Sequence, residues 1–299
     1  MVLNSLDQVL ELARAKPPKR VVVAAADDEH ALAALNLAVK ERIVNPILVG
    51  DKKRLERMAL NTGFPVECSE IIDESNPVEA SRIAVTIIRD GEAEMLMKGL
   101  VSTAELLHAV LNRENGIGTG VNMTHAAMIE CPGYHKLLCV TDAGINVSPG
   151  LREKVGMVKN AVSIYTKLRL DIPKVAVLAA VEVVNEKMRA TMDAAMLTQM
   201  NRRGQIKDCI IDGPFAFDNI VSKDACAYKG IVSEIGGDAD IVLCPEIETA
   251  NTLYKALTYL AGGTVAAIVL GAAVPVILNS RTDSEKSKLM SIALAAAMG

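Results

Sequence analysis

Three residues able to hold an anion or move a proton stand together near the end of the chain: Ser280, Arg281 and Asp283, within Asn279-Ser280-Arg281-Thr282-Asp283. They end an apolar run, Val274 to Leu278, and precede a segment of helical character. One reading is local. Thr282-x-x-Glu285 fits a capping box, with Thr282 as cap, Glu285 reaching back and Asp283 complementing the helix dipole. Such a cap is worth about 1 kcal/mol. It gives Arg281 no role, because a cation beside a helix N-terminus opposes the dipole. An anion between the two does: backbone N–H groups and a bidentate guanidinium together form a phosphate site.

Open α/β sheets bind ligands beyond the carboxyl ends of their strands, so polar residues at expected strand ends are the next candidates. Lys98 ends one apolar run, with Ser102 and Thr103 at the start of the helix that follows. Asp142 and Asn146 follow another, and Asn122, Thr124 and His125 stand beside a third. Asp212-Gly213-Pro214 and Cys244-Pro245-Glu246 occupy similar positions. Each has a structural alternative: capping for Ser102 and Thr103, an Asx-type turn for Asp142 and Asn146. Asp27, Asp28 and Glu29 read as helix-start residues.

Several chemistries lack their residues. There is no G-x-x-x-x-G-K-[ST] loop and no G-x-S-x-G elbow, and Val21 to His30 carries no G-x-G-x-x-G. Gly116-Ile117-Gly118-Thr119-Gly120 has neither the dinucleotide spacing nor a preceding strand. The four histidines do not cluster at ligand spacing, and the six cysteines form no C-x-x-C. Several lie in apolar runs, which predicts reduced, buried thiols, a cytoplasmic setting and no metal. A net charge of −4 supplies no field for nucleic acid. With 3% aromatics and no Trp, base-stacking platforms are missing too.

The elements that must position these residues follow from short apolar runs alternating with helical periods. Strands are expected at 20–26, 45–50, 68–72, 93–99, 125–131, 136–143, 174–181, 208–214 and 240–246, with two more in the uncharged run Ala256 to Ser280. Helices are expected at 29–40, 51–63, after Asn76-Pro77, and at 103–112, 150–168, 185–203, 223–235, 248–261 and 283–298. The uncharged run is long enough to span a bilayer. Gly262-Gly263 and Pro275 break it, so two buried strands fit better than a membrane helix. Strands that are continuously apolar are buried on both faces. The chain is thus expected to form two α/β/α domains with mostly parallel sheets and a cleft between them, 1–140 plus 281–299 and 141–280.

Several segments, in order, resemble the phosphate acetyl/butyryltransferase family. They are Met97-Lys98-Gly99-Leu100-Val101-Ser102, Val140 to Pro149, Asp212 to Ser222, Ala239 to Gly263, and Val269 to Ala295 with its Ser280-Arg281 pair. The resemblance covers most of the chain from about residue 90. It is nearer the butyryltransferase branch, since the insert of the acetyltransferase branch is missing and Lys98 stands where that branch often has an acidic residue. It implies an isocitrate/isopropylmalate dehydrogenase-like fold and the reaction acyl-CoA + phosphate ⇌ acyl phosphate + CoA. Coenzyme A is then a substrate, and no cofactor is tightly bound. Arg281 matches the family arginine that binds the phosphoryl group, and Ser280 the serine that donates to oxyanion or phosphate. The family's general-base aspartate aligns on Ser287, which cannot serve, so Asp283 is the nearest substitute. Lys98, Ser102, Thr103, Asn122, Thr124, His125, Asp142 and Asn146 become expected substrate contacts. Arg202-Arg203 and the pair Lys286 and Lys288 have the charge to meet CoA phosphates, but solvated helix faces fit both better. The resemblance further implies a homo-oligomer and a carboxylate kinase that uses the acyl phosphate. Acetyl transfer and a catalytically silent CoA- or acyl-phosphate-binding module are the alternatives; a dehydrogenase would need aspartates in D-x-x-x-D spacing on a helix, and no convincing set exists.

Overall fold

The computed structural model describes residues 1–278 and 283–299. The chain opens with α1 (Leu6–Arg14), β1 (Lys19–Ala24), α2 (Glu29–Lys40), β2 (Val44–Gly50), α3 (Lys52–Thr62), β3 (Glu70–Asp73), α4 (Pro77–Arg89), β4 (Met95–Lys98) and α5 (Thr103–Val110). Next come β5 (Thr124–Glu130), β6 (Leu138–Thr141), α6 (Leu151–Lys167), β7 (Lys174–Leu178), α7 (Arg189–Arg202) and β8 (Ile210–Phe215). The remainder is α8 (Phe217–Val221), α9 (Lys223–Tyr228), β9 (Ile241–Leu243), α10 (Ile247–Lys255), β10 (Thr264–Leu270), β11 (Val276–Ile277) and α11 (Glu285–Met298).

Two compact units result. The first holds residues 7–121 and 266–299, the second residues 1–6 and 122–265. These bounds differ from the division drawn from the sequence: β5 and β6 group with the second unit, and β11 with the first. In the first unit the strand order is β3-β2-β1-β4-β11-β10. All its neighbours run parallel except β10 and β11. Its helices group as α2, α3 and α11 on one side and α4 with α5 on the other. In the second unit the order is β5-β6-β9-β7-β8, parallel except for β5 and β6. The expected strand neighbours at 125–131 and 136–143 are thus an antiparallel pair.

Local chemistry sets most boundaries. Asp28 caps α2 by accepting from the His30 and Ala31 amides. Asn76 caps α4, whose first residue is Pro77, where a missing N–H costs nothing. Two helices depart from expectation. Of the segment expected as one helix over 223–235, only Lys223–Tyr228 is helical (α9); a second short helix, α8, precedes it. Gly230 follows with φ 66°, a left-handed conformation that ends a helix. The capping box expected at Thr282 is not the start of α11. Its cap is Ser284, whose Oγ accepts from the Ser287 amide at 3.1 Å.

The uncharged run resolves into a π-helical turn at Ala256–Leu260, then β10 and β11. Among the described residues, no helix is long and apolar enough to cross a membrane. The first unit's core centres on α11, where Ser287 and every residue to Met298 are buried. A helix apolar all round belongs inside a core. Its Ala293, Ala295, Ala296 and Ala297 keep the helix thin where it packs against α2 and β11.

Candidate active site

In the first unit, β1, β4 and β11 run side by side in the same direction. Ala24 pairs with Lys98, and Ile277 pairs with Met97. The loops after residues 24, 98 and 277 therefore leave one edge of the sheet together. This edge is a crowded place. Gly99 donates to the Ala24 carbonyl at 2.9 Å and Leu100 to the Ala25 carbonyl at 2.6 Å. A Cβ on Gly99 would stand 2.1 Å from the Ala25 carbonyl oxygen, so the close approach of the two loops requires glycine.

Lys98 is half-buried at this edge, and its Nζ donates to the Gly99 and Val101 carbonyls at 3.2 and 3.0 Å. Ser102 is the cap of α5 in a full capping box. Its hydroxyl accepts from the Glu105 amide at 3.1 Å and donates to Glu105 Oε2 at 2.7 Å. Those bonds hold the exposed Glu105 carboxyl below its usual range. Thr103 is the exposed first residue of that helix. Asp283 is half-buried just before the α11 cap. Ser280 and Arg281 lie outside the described residues, as do Asn279 and Thr282.

The second unit assembles five of the expected residues into one hydrogen-bonded group at the carboxyl end of β6. Asp142 is 1% exposed and its carboxylate accepts four hydrogen bonds. Oδ1 takes the Gly144 and Ile145 amides, both at 3.0 Å. Oδ2 takes the Asn146 amide at 3.3 Å and Asn146 Nδ2 at 2.6 Å. Asn146 Nδ2 also donates to the Met123 carbonyl at 2.8 Å, and its Oδ1 accepts from Asn122 Nδ2 at 2.7 Å. The Asx-type turn that the sequence offers at 142–146 is therefore present, and it is tied to residues 122 and 123.

Thr124 and His125 continue the group along β5. Thr124, fully buried, accepts from Asn160 Nδ2 at 2.9 Å. Asn160 on α6 also donates to the Asn122 carbonyl at 2.9 Å. His125 is half-buried, its ring edge-on to Tyr254 at 6.1 Å, and its carbonyl accepts from Thr141 Oγ1. Asn251 on α10 donates to the Ala143 carbonyl at 3.1 Å. Asn160 and Asn251 were not among the sequence candidates. Each sits on a helix face, where a lone asparagine carries no spacing signal. A faint clue was that Asn160 is a polar residue among the apolar Met157, Val158, Ala161 and Val162 of α6.

Other candidates move away from the site. Asp212 lies inside β8, not at its end, and accepts from Ser233 Oγ at 2.7 Å. Glu246 caps α10, accepting from the Glu248 and Thr249 amides at 3.1 Å. Asp27 is buried and paired with Arg54 at 2.9 Å, while Asp28 and Glu29 start α2 as expected. Lys286 is exposed near Asp7, but Lys288 is only 4% exposed, so it is no part of a solvated face. At the opposite end of the second unit's strands a cavity of ≈ 340 Å³ is lined by Lys136, Lys174, Asp238 and Asp240. Its charges pair with one another: Lys136 with Asp240 at 2.7 Å and Lys174 with Asp238 at 2.6 Å.

Three of the described thiols are shifted away from attack. Cys131, Cys139, Cys209, Cys226 and Cys244 are free and buried. Burial, and then the nearby Asp240 carboxylate, push the Cys139 thiol up to about 12. Burial and Asp208 push Cys209 up to about 11. Cys244 is raised further, mainly by burial. A nucleophilic cysteine needs the reverse shift.

A family model described as phosphate acetyl/butaryl transferase matches residues 4–79 and 70–296. The chain belongs to this family. It is 44% identical over 293 residues to a phosphate butyryltransferase of Clostridium beijerinckii, covering 98% of this chain and 97% of that relative. It is also 44% identical over 291 residues to a phosphate acetyltransferase of Thermotoga maritima, covering 97% and 98%. Among solved structures, a branched-chain phosphotransacylase from Enterococcus faecalis superposes with a TM-score of 0.83 at 30% identity, over 94% of this chain and 98% of that one. Family membership accounts for the ordered segments on which the resemblance rested, Ser280-Arg281 included.

Proposed function

We infer that the chain transfers a short-chain acyl group between coenzyme A and inorganic phosphate. The observation that carries this reading is the family match along nearly the whole chain, with relatives of this activity at 44% identity over the same span. Butyryl is the proposed acyl group. Acetyl is the rival, because the butyryl- and acetyltransferase relatives are equally similar. Two methylenes separate them, at about 1–3 kcal/mol each in an apolar pocket.

In this reaction a phosphate oxygen attacks the thioester carbonyl, the C–S bond breaks, and CoA leaves as a thiolate that takes up a proton. The catalytic demands are three: a held phosphate, a stabilised oxyanion and a proton route for the sulfur. Arg281 holds the phosphoryl oxygens through its bidentate fork. Ser280 donates to the phosphate or the developing oxyanion. Asp283 handles the proton, acting as base toward the CoA thiol in the reverse direction, whose ordinary pKa is about 8.5. Lys98, Ser102 and Thr103 contribute to phosphate binding at the start of α5. Asn122, Thr124, His125, Asp142 and Asn146 contact or shape the acyl-CoA site, with Asp142 fixing the loop and Asn146 linking it to residues 122 and 123. The raised thiols of Cys139, Cys209 and Cys244 favour direct transfer over a cysteine-bound acyl intermediate. The protein is further proposed to be a cytoplasmic homo-oligomer.

The test follows thiol release from butyryl-CoA and acetyl-CoA, with and without phosphate. Release that needs phosphate and is faster with butyryl-CoA is expected, and Arg281→Ala should remove it while leaving circular dichroism unchanged. Release indifferent to phosphate would refute transfer to phosphate. Binding without release would make the chain a silent acyl-CoA module.

A further inference from the structure

The hydrogen bonds around Asn146 have a direction, and it ends at Asn122. A carboxylate can only accept, so Asn146 must turn its NH₂ group toward Asp142 Oδ2, at 2.6 Å. The Met123 carbonyl, at 2.8 Å, demands the same orientation. Oδ1 of Asn146 therefore faces Asn122, which answers with its own NH₂ group at 2.7 Å. The main chain of Asn122 is held as well, because its carbonyl accepts from Asn160 Nδ2 at 2.9 Å. Yet Asn122 is exposed, and its Oδ1 and second amide hydrogen have no partner among the described residues. An asparagine that only met water would need no such fixing, which removes rotamer freedom. A second observation stands beside it. Gly156 lies inside α6, a 17-residue helix, where glycine is among the least favourable residues. Among the described residues, a Cβ there would meet only Asn122 Cβ, at 3.6 Å, which is ordinary contact. Neither close packing nor a left-handed backbone asks for this glycine. Its missing side chain leaves open space along α6, next to the fixed amide.

We propose that Asn122, beside Gly156, binds the pantetheine arm of acyl-CoA through its secondary amides. The open groups of Asn122 are one acceptor and one donor. An anion does not match them, since its oxygens would meet Oδ1. A chain of amides does: one amide N–H donates to Oδ1, and an amide carbonyl accepts from the remaining N–H. The pantetheine arm carries two such amides and is slender enough to lie over a residue without a side chain. Asp142 and Asn146 are then positioning residues, because they set which way the Asn122 amide faces. The site lies in the second unit, where the amino end of β5 stands beside the carboxyl end of β6. The identity of the ligand rests on the acyl-transfer reading; the fixed amide and the open space at Gly156 do not.

Steady-state kinetics of the full chain tests it, with butyryl-pantetheine and two analogues in which an ester oxygen replaces one or the other amide N–H. In the wild type, one analogue should lose roughly 2- to 10-fold in kcat/KM, the loss of a neutral hydrogen bond. Asn122→Ala should lose as much with the amide carrier and no longer distinguish it from that analogue, while the KM for phosphate stays unchanged. Asn146→Ala should reproduce this loss of discrimination, which a merely structural role would not produce. Gly156→Leu separates binding from folding: a better helix former should keep or raise Tm, yet fill the space beside Asn122 and raise the KM for butyryl-CoA. The proposal is overturned if Asn122→Ala still discriminates among the carriers as wild type does, or if Gly156→Leu and Asn122→Ala both keep the wild-type KM for butyryl-CoA. Should the wild type move no acyl group to phosphate, calorimetric titration with CoA separates the two readings. Binding that weakens in Asn122→Ala keeps the amide site and drops the acyl-transfer reading. Binding equal in both proteins, or absent from both, overturns the site.

Discussion

Replacing Asp142 tests whether its carboxylate builds the 142–146 loop. In Asp142→Asn one oxygen becomes an NH₂ group. Turned toward Gly144 and Ile145 it would orphan two backbone amides, whose acceptor is Oδ1. Turned toward Asn146 it orphans one amide, since Asn146 Nδ2 keeps the Met123 carbonyl. The second orientation is cheaper, and leaving one buried donor without a partner costs about 2 kcal/mol. At about 1.4 kcal/mol per factor of ten, the Asn146 amide should exchange with solvent deuterium roughly 30-fold faster, with Gly144 and Ile145 little changed. Asp142→Ala removes every acceptor and should expose all three amides. The assay is hydrogen exchange read by mass spectrometry or NMR, which suits a chain with no Trp to report unfolding. Exchange at all three amides within roughly threefold of wild type in Asp142→Ala would show that the loop holds its shape without the carboxylate, and would refute the reasoning.

Two further outcomes are expected. Cys139 has a folded pKa raised above its unfolded value, so its stabilisation is complete below pH 9 and is lost as pH rises toward about 12. Across that window it contributes a slope of about 1.4 kcal/mol per pH unit, which urea unfolding of wild type and Cys139→Ala as a function of pH would detect as a difference in slope. Gly99→Ala places a methyl into the Ala25 carbonyl, so both loops must shift; activity should collapse and Tm fall, and a variant with wild-type KM for phosphate would show that this sheet edge is not part of the site.

Much of this arrangement was legible before any coordinates. Asp28, Asn76 and Ser102 announce their helices because a short polar side chain that accepts from amides two or three residues ahead is a local event. The buried strands are equally local, since an unbroken apolar run has few other fates. The start of α11 was not: Thr282 and Ser284 both offer capping hydroxyls, and only the packing of α11 decides between them. Lys288 was misread for a similar reason. Its spacing from Lys286 suits a charged face, but Ser287 to Met298 are covered on all sides, which no helical period reveals. The ties from Asn160 and Asn251 to the 122–146 group span 36 to 108 residues and become visible only when the sheet has brought them together.

The interleaving of the two units has a consequence for how the chain is made. The second unit is continuous but for its first six residues, whereas the first lacks β11, α11 and most of β10 until residues 266–299 have been added. At about 5–20 residues per second, the 144 residues between positions 121 and 266 take roughly 7–30 s to synthesise. Throughout that interval the apolar faces of α2 and β4 emerge without the strand and helix that will cover them. The unit whose main body is synthesised first is therefore the unit completed last, and its apolar surface waits longest for its cover.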